Sequence, residues 1–267
     1  MELIDLHTHS TYSDGTLPPA DLVDLARDAN LKAIALTDHD TMEGVEEARA
    51  RGRQQNVEVI SGVEVSAQHE DKSVHILAYG VQNNHLLEQF LRTLQEARRA
   101  RNARIIANLN RIGIEASLAD LKRYSKVGQV GRPHIARLLI DRGAVKSMDQ
   151  AFSRYLKRGG LAYEESSKFT AEEVTDTIRR AGGLAVLAHP ANFDPSLARL
   201  PKLLRHLKAA GLAGIEVYYP THSPTTTREL KQLAGKLDLL LTGGSDFHGE
   251  HRNGQKLSGA GPLRVSY

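Results

Sequence analysis

Asp5-Leu6-His7-Thr8-His9-Ser10-Thr11-Tyr12-Ser13-Asp14-Gly15 decides how this chain is read. With Leu3 and Ile4 ahead of it, the segment starts as a short β-strand. Residues two apart in a strand face the same side, so His7 and His9 can aim both imidazoles at one ion. A lone His-x-His is weak evidence, because half-buried histidines are common in strands. The same stretch carries Asp14, another possible ligand.

Working outward, five more signals share one position. Ala35-Leu36-Thr37-Asp38-His39-Asp40 closes the next apolar strand. In Gly62-Val63-Glu64-Val65 a carboxylate interrupts an apolar run, which is costly unless it is paired or binds metal. Val74-His75-Ile76 sets a histidine between β-formers, and Leu187-Ala188-His189-Pro190 ends another strand. Gly243-Gly244-Ser245-Asp246-Phe247-His248-Gly249 follows the last apolar run. His9, His39, Glu64, His189 and Asp246 all fall at or just past the C-terminal end of a predicted strand. Barrels and open parallel sheets assemble their sites on that face. Six such signals, five of them placing a donor at a strand end, favour a metal site over scattered structural histidines. The donors His7, His9, Asp14, His39, Glu64, His75, His189, Asp246 and His248 are too many for one ion. They suit two or three divalent ions, Mn²⁺, Zn²⁺ or Fe²⁺, with glutamate able to bridge two of them.

Strands are predicted near Leu3–Leu6, Ala33–Leu36, Val57–Ile60, Val74–Tyr79, Leu184–Ala188, Gly214–Tyr218 and Leu239–Thr242. Capped helices separate most of them. Thr170-Ala-Glu-Glu173 is a capping box, Ser223-Pro224 a helix start, and Gly182 and Gly211 sit where helices stop. The alternation predicts an α/β fold with a mostly parallel sheet, open or closed into a barrel. The middle breaks the pattern. One long helix, Asn84–Arg111, precedes three short ones at Ser117–Tyr124, Arg132–Arg142 and Ser147–Arg158. Residues 98–167 therefore read as a helical insertion between barrel segments 1–97 and 168–267.

The chain's 267 residues, 40% hydrophobic, suit one large domain or one domain with an insertion. Cysteine is absent, which excludes disulfides, thiolate ligands and a Cys nucleophile. No stretch has the length of a membrane span, and the apolar run at the N-terminus is too short for a signal peptide. The expected location is the cytoplasm. No obligate protein partner is evident. A net charge of +3 permits an anionic substrate without demanding nucleic acid. With no Trp and 5% aromatics, long stacking platforms for single strands are not expected.

Taken together, Asp5–Gly15, Thr37–Asp40, His189-Pro190 and Ser245–His248 resemble the four motifs of the PHP (polymerase and histidinol phosphatase) family. The resemblance spans the chain. It implies a distorted (β/α)₇ barrel with an inserted small helical subdomain and metal-dependent phosphoesterase activity. It also implies a distribution of ligands: His7, His9, Glu64 and Asp246 on one ion; Glu64, His75 and His189 on a second; Asp14, His39 and His248 on a third. Glu64 and Asp246 would then be central to catalysis. The inserted helices, with Arg98, Arg101 and Gly131-Arg132-Pro133-His134, resemble the subgroup of 3′,5′-nucleotide bisphosphate phosphatases and the 5′→3′ oligoribonuclease RNase AM. After Gly249 the match fades, which leaves the last barrel element open.

Clustered divalent ions would activate water and stabilise phosphoryl charge. Arg98, Arg101, Arg132 and His134 are the expected phosphate binders. Arg98 and Arg101 lie three apart on one helix face, and Arg132 opens a helix whose free N–H groups favour an anion. From residues alone, Arg98 and Arg101 read equally well as solvated surface, and the resemblance favours phosphate. His222 either protonates a leaving group or merely precedes the Ser223 cap, while His69, His85, His206 and His251 read as surface residues. The expected substrate is a small phosphorylated nucleotide or a short 5′-phosphorylated RNA. Rival readings are a histidinol-phosphate phosphatase, an amidohydrolase-type C–N hydrolase, and a catalytically silent PHP module that binds metal or nucleic acid.

Overall fold

In the computed structural model, residues 2–70, 72–81, 84–124, 129–165, 169–249 and 256–267 are described. His251 and the expected insertion boundary at residues 167–168 lie outside them. Strands β1 (Leu3–Thr8), β2 (Leu31–Leu36), β3 (Glu58–His69), β4 (Lys72–Tyr79), β5 (Leu184–Leu187), β6 (Leu212–Tyr218), β7 (Leu240–Gly243) and β8 (Val265–Ser266) form one sheet. Their spatial order is β7-β6-β5-β4-β3-β2-β1-β8. Helices α1 (Pro19–Asp28) and α2 (Val45–Gln55) pack outside β1–β3. Helices α7 (Ala171–Arg180), α9 (Leu200–Ala210) and α10 (Pro224–Lys236) pack outside the strands from β4 to β7, and the short α8 (Pro190–Phe193) follows β5.

The sheet curls until its ends nearly meet. Past β7, the His9 amide donates to the Phe247 carbonyl at 2.9 Å, so the β7 side closes against β1. A Cβ on Gly244 would lie 2.4 Å from the His7 Cβ; only glycine admits this approach. The seven expected strands are present. The short β8, which the sequence left open, adds an antiparallel eighth beside β1.

The sheet is mostly parallel, as expected: parallel from β1 to β3 and from β5 to β7, with β4 antiparallel to both neighbours. One expectation needs correction: β3 does not stop at Ile60. It continues to His69, paired with β4 after β2 has ended. Glu64 therefore sits within a strand rather than past its end. Its bridge to His39 shows why it still reaches the site: it stands level with the C-terminal rim of β2.

The middle of the chain is helical as read. Helix α3 (Asn84–Arg111) is followed by α4 (Leu118–Leu121), α5 (Arg132–Asp141), α6 (Met148–Ala151) and a π-helical turn, Phe152–Leu156. Apolar residues divide between separate clusters. Leu87, Leu91 and Leu94 of α3 join the core under β3–β6, whereas Ile105, Ile106 and Leu109 of the same helix join Ile135, Leu138, Leu139 and Leu156. The polar stretch between the two halves holds Arg98, Arg101 and Asn102. The sequence-read caps are present: Thr170 with Glu173, and Ser223 accepting from the Thr226 amide at 3.0 Å.

Candidate active site

Strand alternation places His7 and His9 on one face of β1, ring centroids 5.2 Å apart. Opposite them, the Glu64 carboxylate is the hub. Its Oε2 lies 3.3 Å from His7 Nε2, 3.2 Å from His9 Nε2 and 3.1 Å from His39 Nδ1. Its Oε1 lies 2.7 Å from His75 Nδ1 and 2.9 Å from His189 Nε2. Asp246 Oδ1 stands 3.2 Å from His9 Nε2, and Asp14 Oδ1 stands 3.2 Å from His248 Nε2. All nine residues singled out from the sequence thus converge at one barrel end.

Donor atoms within 4.8 Å of one another fall into three groups. One is His7, His9, Glu64 and Asp246, the set the family resemblance implied. Another joins His9 to Asp14, His39 and His248. The last is His39, Glu64 and His75, so His39 stands between two groups rather than in one. His189 reaches the same Glu64 oxygen as His75.

Charge and hydrogen bonding test whether cations fit. His7 Nε2, His9 Nε2, His39 Nδ1 and Glu64 Oε2 are buried with no hydrogen-bond partner among the described residues. Buried donors and acceptors left unpaired are costly, and four of them aimed into one space are what a bound cation would satisfy. Without a cation, protons take part of that role. Burial disfavours a charged His9, yet Asp246 and Glu64 outweigh it and raise its pKa to about 9. Burial likewise opposes charge on His7, and Glu216, Glu64 and Asp246 carry it well above the ordinary histidine range. His39 goes the other way: burial dominates, and its pKa falls to about 3. Burial would raise Asp14 and Glu64, but the surrounding imidazoles hold both well below the usual carboxylate range. Sulfur-free imidazole and carboxylate donors suit borderline divalent ions.

The backbone is strained at the same place. Asp40, His189 and Asp246 have φ of 54°, 29° and 54°. Non-glycine residues at positive φ persist where the surroundings over-determine them, commonly at functional sites.

Several supporting residues escaped the sequence reading. Glu216, fully buried in β6, accepts from His7 Nδ1 at 3.0 Å and from the His189 amide at 2.7 Å. It interrupts an apolar strand just as Glu64 does, so the same argument could have found it. Asp5 accepts from the amides of His7, Ser245 and Ser258, pinning both sides of the barrel seam. Asp38 accepts from Ser10 and Ser13, which fixes the turn carrying Asp14. The Tyr219 hydroxyl donates to Asp246 Oδ2 at 2.7 Å.

The expected phosphate binders are placed unevenly. Arg98, partly buried, forms an ion pair with Asp40 and donates to Ser66 Oγ at 2.9 Å. Arg101 is 4% exposed, and its Nε has no hydrogen-bond partner among the described residues. Burial, then the charges of Arg98 and Arg132, push it down to about 8. Arg132 lies over the Tyr163 ring at 5.2 Å and donates to the Glu164 carbonyl at 2.7 Å. His134 Nδ1 accepts from the Gly131 amide at 2.9 Å, capping α5. His222 is not brought among the metal donors. Its Nδ1 donates to the Val217 carbonyl at 2.9 Å, its ring meets Tyr219 at 5.3 Å, and it lines a separate hollow with Arg228 and Lys231.

A cleft of about 230 Å³ opens over Glu64, His75, His189 and Asp246. A larger one of about 400 Å³ adjoins it, sharing Ser73, Asn192 and Phe193 and reaching Arg132 and Lys157 of the helical region. No described helix is long and apolar enough to cross a membrane.

The PHP domain family matches residues 5–160. A 3′,5′-nucleoside bisphosphate phosphatase of Chromobacterium violaceum is 34% identical over 96% of this chain and 90% of its own. A 5′–3′ exoribonuclease of Escherichia coli is 34% identical over 92% and 85%. A Bifidobacterium adolescentis structure assigned to the metal-dependent phosphoesterases superposes with a TM-score of 0.89 at 30% identity, covering 99% of this chain and 93% of that one. A barrel rim of clustered imidazoles and carboxylates, matched end to end by phosphoester-cleaving relatives, leaves one conclusion: the chain belongs to the PHP family and is a phosphoric ester hydrolase.

Proposed function

We propose that the chain hydrolyses nucleotides carrying two phosphate groups, namely 3′,5′-nucleotide bisphosphates and short 5′-phosphorylated RNA. The observation that carries this reading is Arg101. A guanidinium buried beside two other arginines, with no carboxylate bound to it among the described residues, needs a countercharge. A phosphate supplies one. Arg98 links this cluster to the hydrolytic centre through Asp40, the neighbour of His39. One phosphate would rest on Arg101 and Arg132 while another reaches the donors around Glu64. By name, one relative acts on 3′,5′-nucleoside bisphosphates and the other on RNA in the 5′–3′ direction.

Two or three divalent ions, Mn²⁺ by preference, would supply activated water and charge stabilisation at the phosphoryl group. His7, His9, Asp14, His39, Glu64, His75, His189, Asp246 and His248 would hold them. Glu216 and Tyr219 orient His7, His189 and Asp246. His222 stands outside the three donor groups, its Nδ1 held by the Val217 carbonyl, and takes no part in this scheme. Residues 98–167 would act as the substrate-binding subdomain and the remainder as the catalytic barrel. Such substrates place the work in the cytoplasm.

Arg101→Ala is the test. Losing a charge-assisted contact costs about 2–3 kcal/mol, or roughly 30- to 200-fold in kcat/KM. That loss is expected on adenosine 3′,5′-bisphosphate, with p-nitrophenyl phosphate turnover and metal content nearly unchanged. Equal losses on both substrates would sink the reading, because Arg101 would then support the fold or the reacting phosphoryl group itself.

A further inference from the structure

We propose that the larger cleft is a track for single-stranded RNA, holding the phosphodiester chain beyond the nucleotide seated at the donor cluster. This rests on the function proposed above. The cleft is walled by residues of β3, β4 and α8 on one side and by the helical region on the other. It opens into the cleft over Glu64 through Ser73, Asn192 and Phe193, so a chain can run from one to the other without leaving the surface.

Its charge is the second observation. Among the described residues, Lys72, Arg132, Lys157 and Arg158 line it against one carboxylate, Glu165. The whole chain holds 35 basic and 32 acidic side chains, so a four-to-one balance is a local feature. The cations come from separate parts of the sequence and meet only in the fold. Spaced cations along a groove follow a phosphate backbone, whereas a single small anion would need them converging on one point. Two of its three aromatic rings already carry a cation. Lys72 lies 5.4 Å over Phe193, and Arg132 covers Tyr163. That favours backbone contact over base stacking, and with it tolerance of sequence.

The experiment uses the metal-loaded protein and a 3′-fluorescein, 5′-phosphorylated pentaribonucleotide with phosphorothioate linkages, which keep the charge and slow cleavage. Binding is followed by anisotropy across a salt series for the natural protein, Lys157→Gln, Lys72→Gln and the double variant. Each phosphate contact on a single strand contributes about 0.7 to the slope of log affinity against log salt, so the double variant should lose about 1.4 and bind roughly tenfold more weakly. Turnover of adenosine 3′,5′-bisphosphate should stay unchanged in the same variants. An unchanged salt slope overturns the track. So does a parallel fall in bisphosphate turnover, which would assign these lysines to the first nucleotide or to the fold. If the natural protein turns over no nucleotide at all, the proposed function fails, and the salt slope still decides the track by itself.

Discussion

Glu216 touches two proposed ligands at once, through His7 Nδ1 and the His189 amide, and this makes it a sharp probe of the site. Glutamine in its place keeps the shape but cannot accept from both donors with equal strength. Outer partners of this kind are typically worth about 10- to 100-fold in metal affinity, so Glu216→Gln should weaken Mn²⁺ binding by that order in a titration, with the circular dichroism unchanged. Normal affinity in that variant would detach Glu216 from the centre. The imidazoles also set a pH dependence. A histidine whose folded pKa is raised stabilises the fold fully below its unfolded value and loses that contribution as pH climbs through the folded value. For His9 the window runs from about 6.5 to about 9. Metal binding must displace the same protons, so affinity should rise across that window. The gap in melting temperature between metal-loaded and metal-free protein should therefore widen from pH 7 to pH 9. A gap that stays constant would show that His9 is already neutral in the metal-free protein.

At the scale of elements, the seam between β1 and the segment after β7 depends on a missing side chain. A Cβ at Gly244 meets the backbone nitrogen of His7 at 2.5 Å, and backbone cannot swing aside as a flexible side chain can. Gly244→Ala should cost about 1–3 kcal/mol as an overpacking change and lower the melting temperature by roughly 2–12 °C. Metal binding should fall with it, because His7 is what moves. A variant that melts lower yet binds metal normally would mean the strain is absorbed elsewhere. The seam also shows where sequence reasoning ran out. His7, His9, His39, His189, Asp246 and His248 were legible because each follows an apolar run at a spacing that local periodicity reveals. Glu64 was found for its cost in an apolar strand but misplaced, because nothing local says that β3 outlasts β2 and turns back as β4. The reversal of β4 is a matter of partner choice, and alternation within a strand is identical for parallel and antiparallel neighbours. The two-residue β8 carries no periodic signal of its own. Arg98 was read as a phosphate binder from its helix face, but its pairing with Asp40 joins residues 58 apart in sequence and could be seen only in the fold.

The molecule as a whole is organised around α3. Its 28 residues span about 42 Å, enough to serve two cores, and its polar middle carries Arg98 and Arg101 between them. The proposed phosphate site therefore lies where the barrel core and the helical core meet, which would separate chemistry from selection. Leu139 tests that separation. It is fully buried in the helical core, remote in sequence from every proposed ligand. Leu139→Ala should remove about 2–5 kcal/mol of local stability. If the helical core can open by itself, amide exchange should quicken from Ile105 to Ala162 while β1 to β7 stay protected. The proposed ligands lie on the strands or in the segments that follow them, outside the helical core, so metal content and p-nitrophenyl phosphate turnover should persist. Arg132 leans on Tyr163 and the Glu164 carbonyl at the edge of this core, so turnover of adenosine 3′,5′-bisphosphate should fall. Exchange that quickens equally in the strands would show the two cores to be one cooperative unit. The helical region would then be part of the barrel's foundation, and substrate choice would have to be sought at the rim itself.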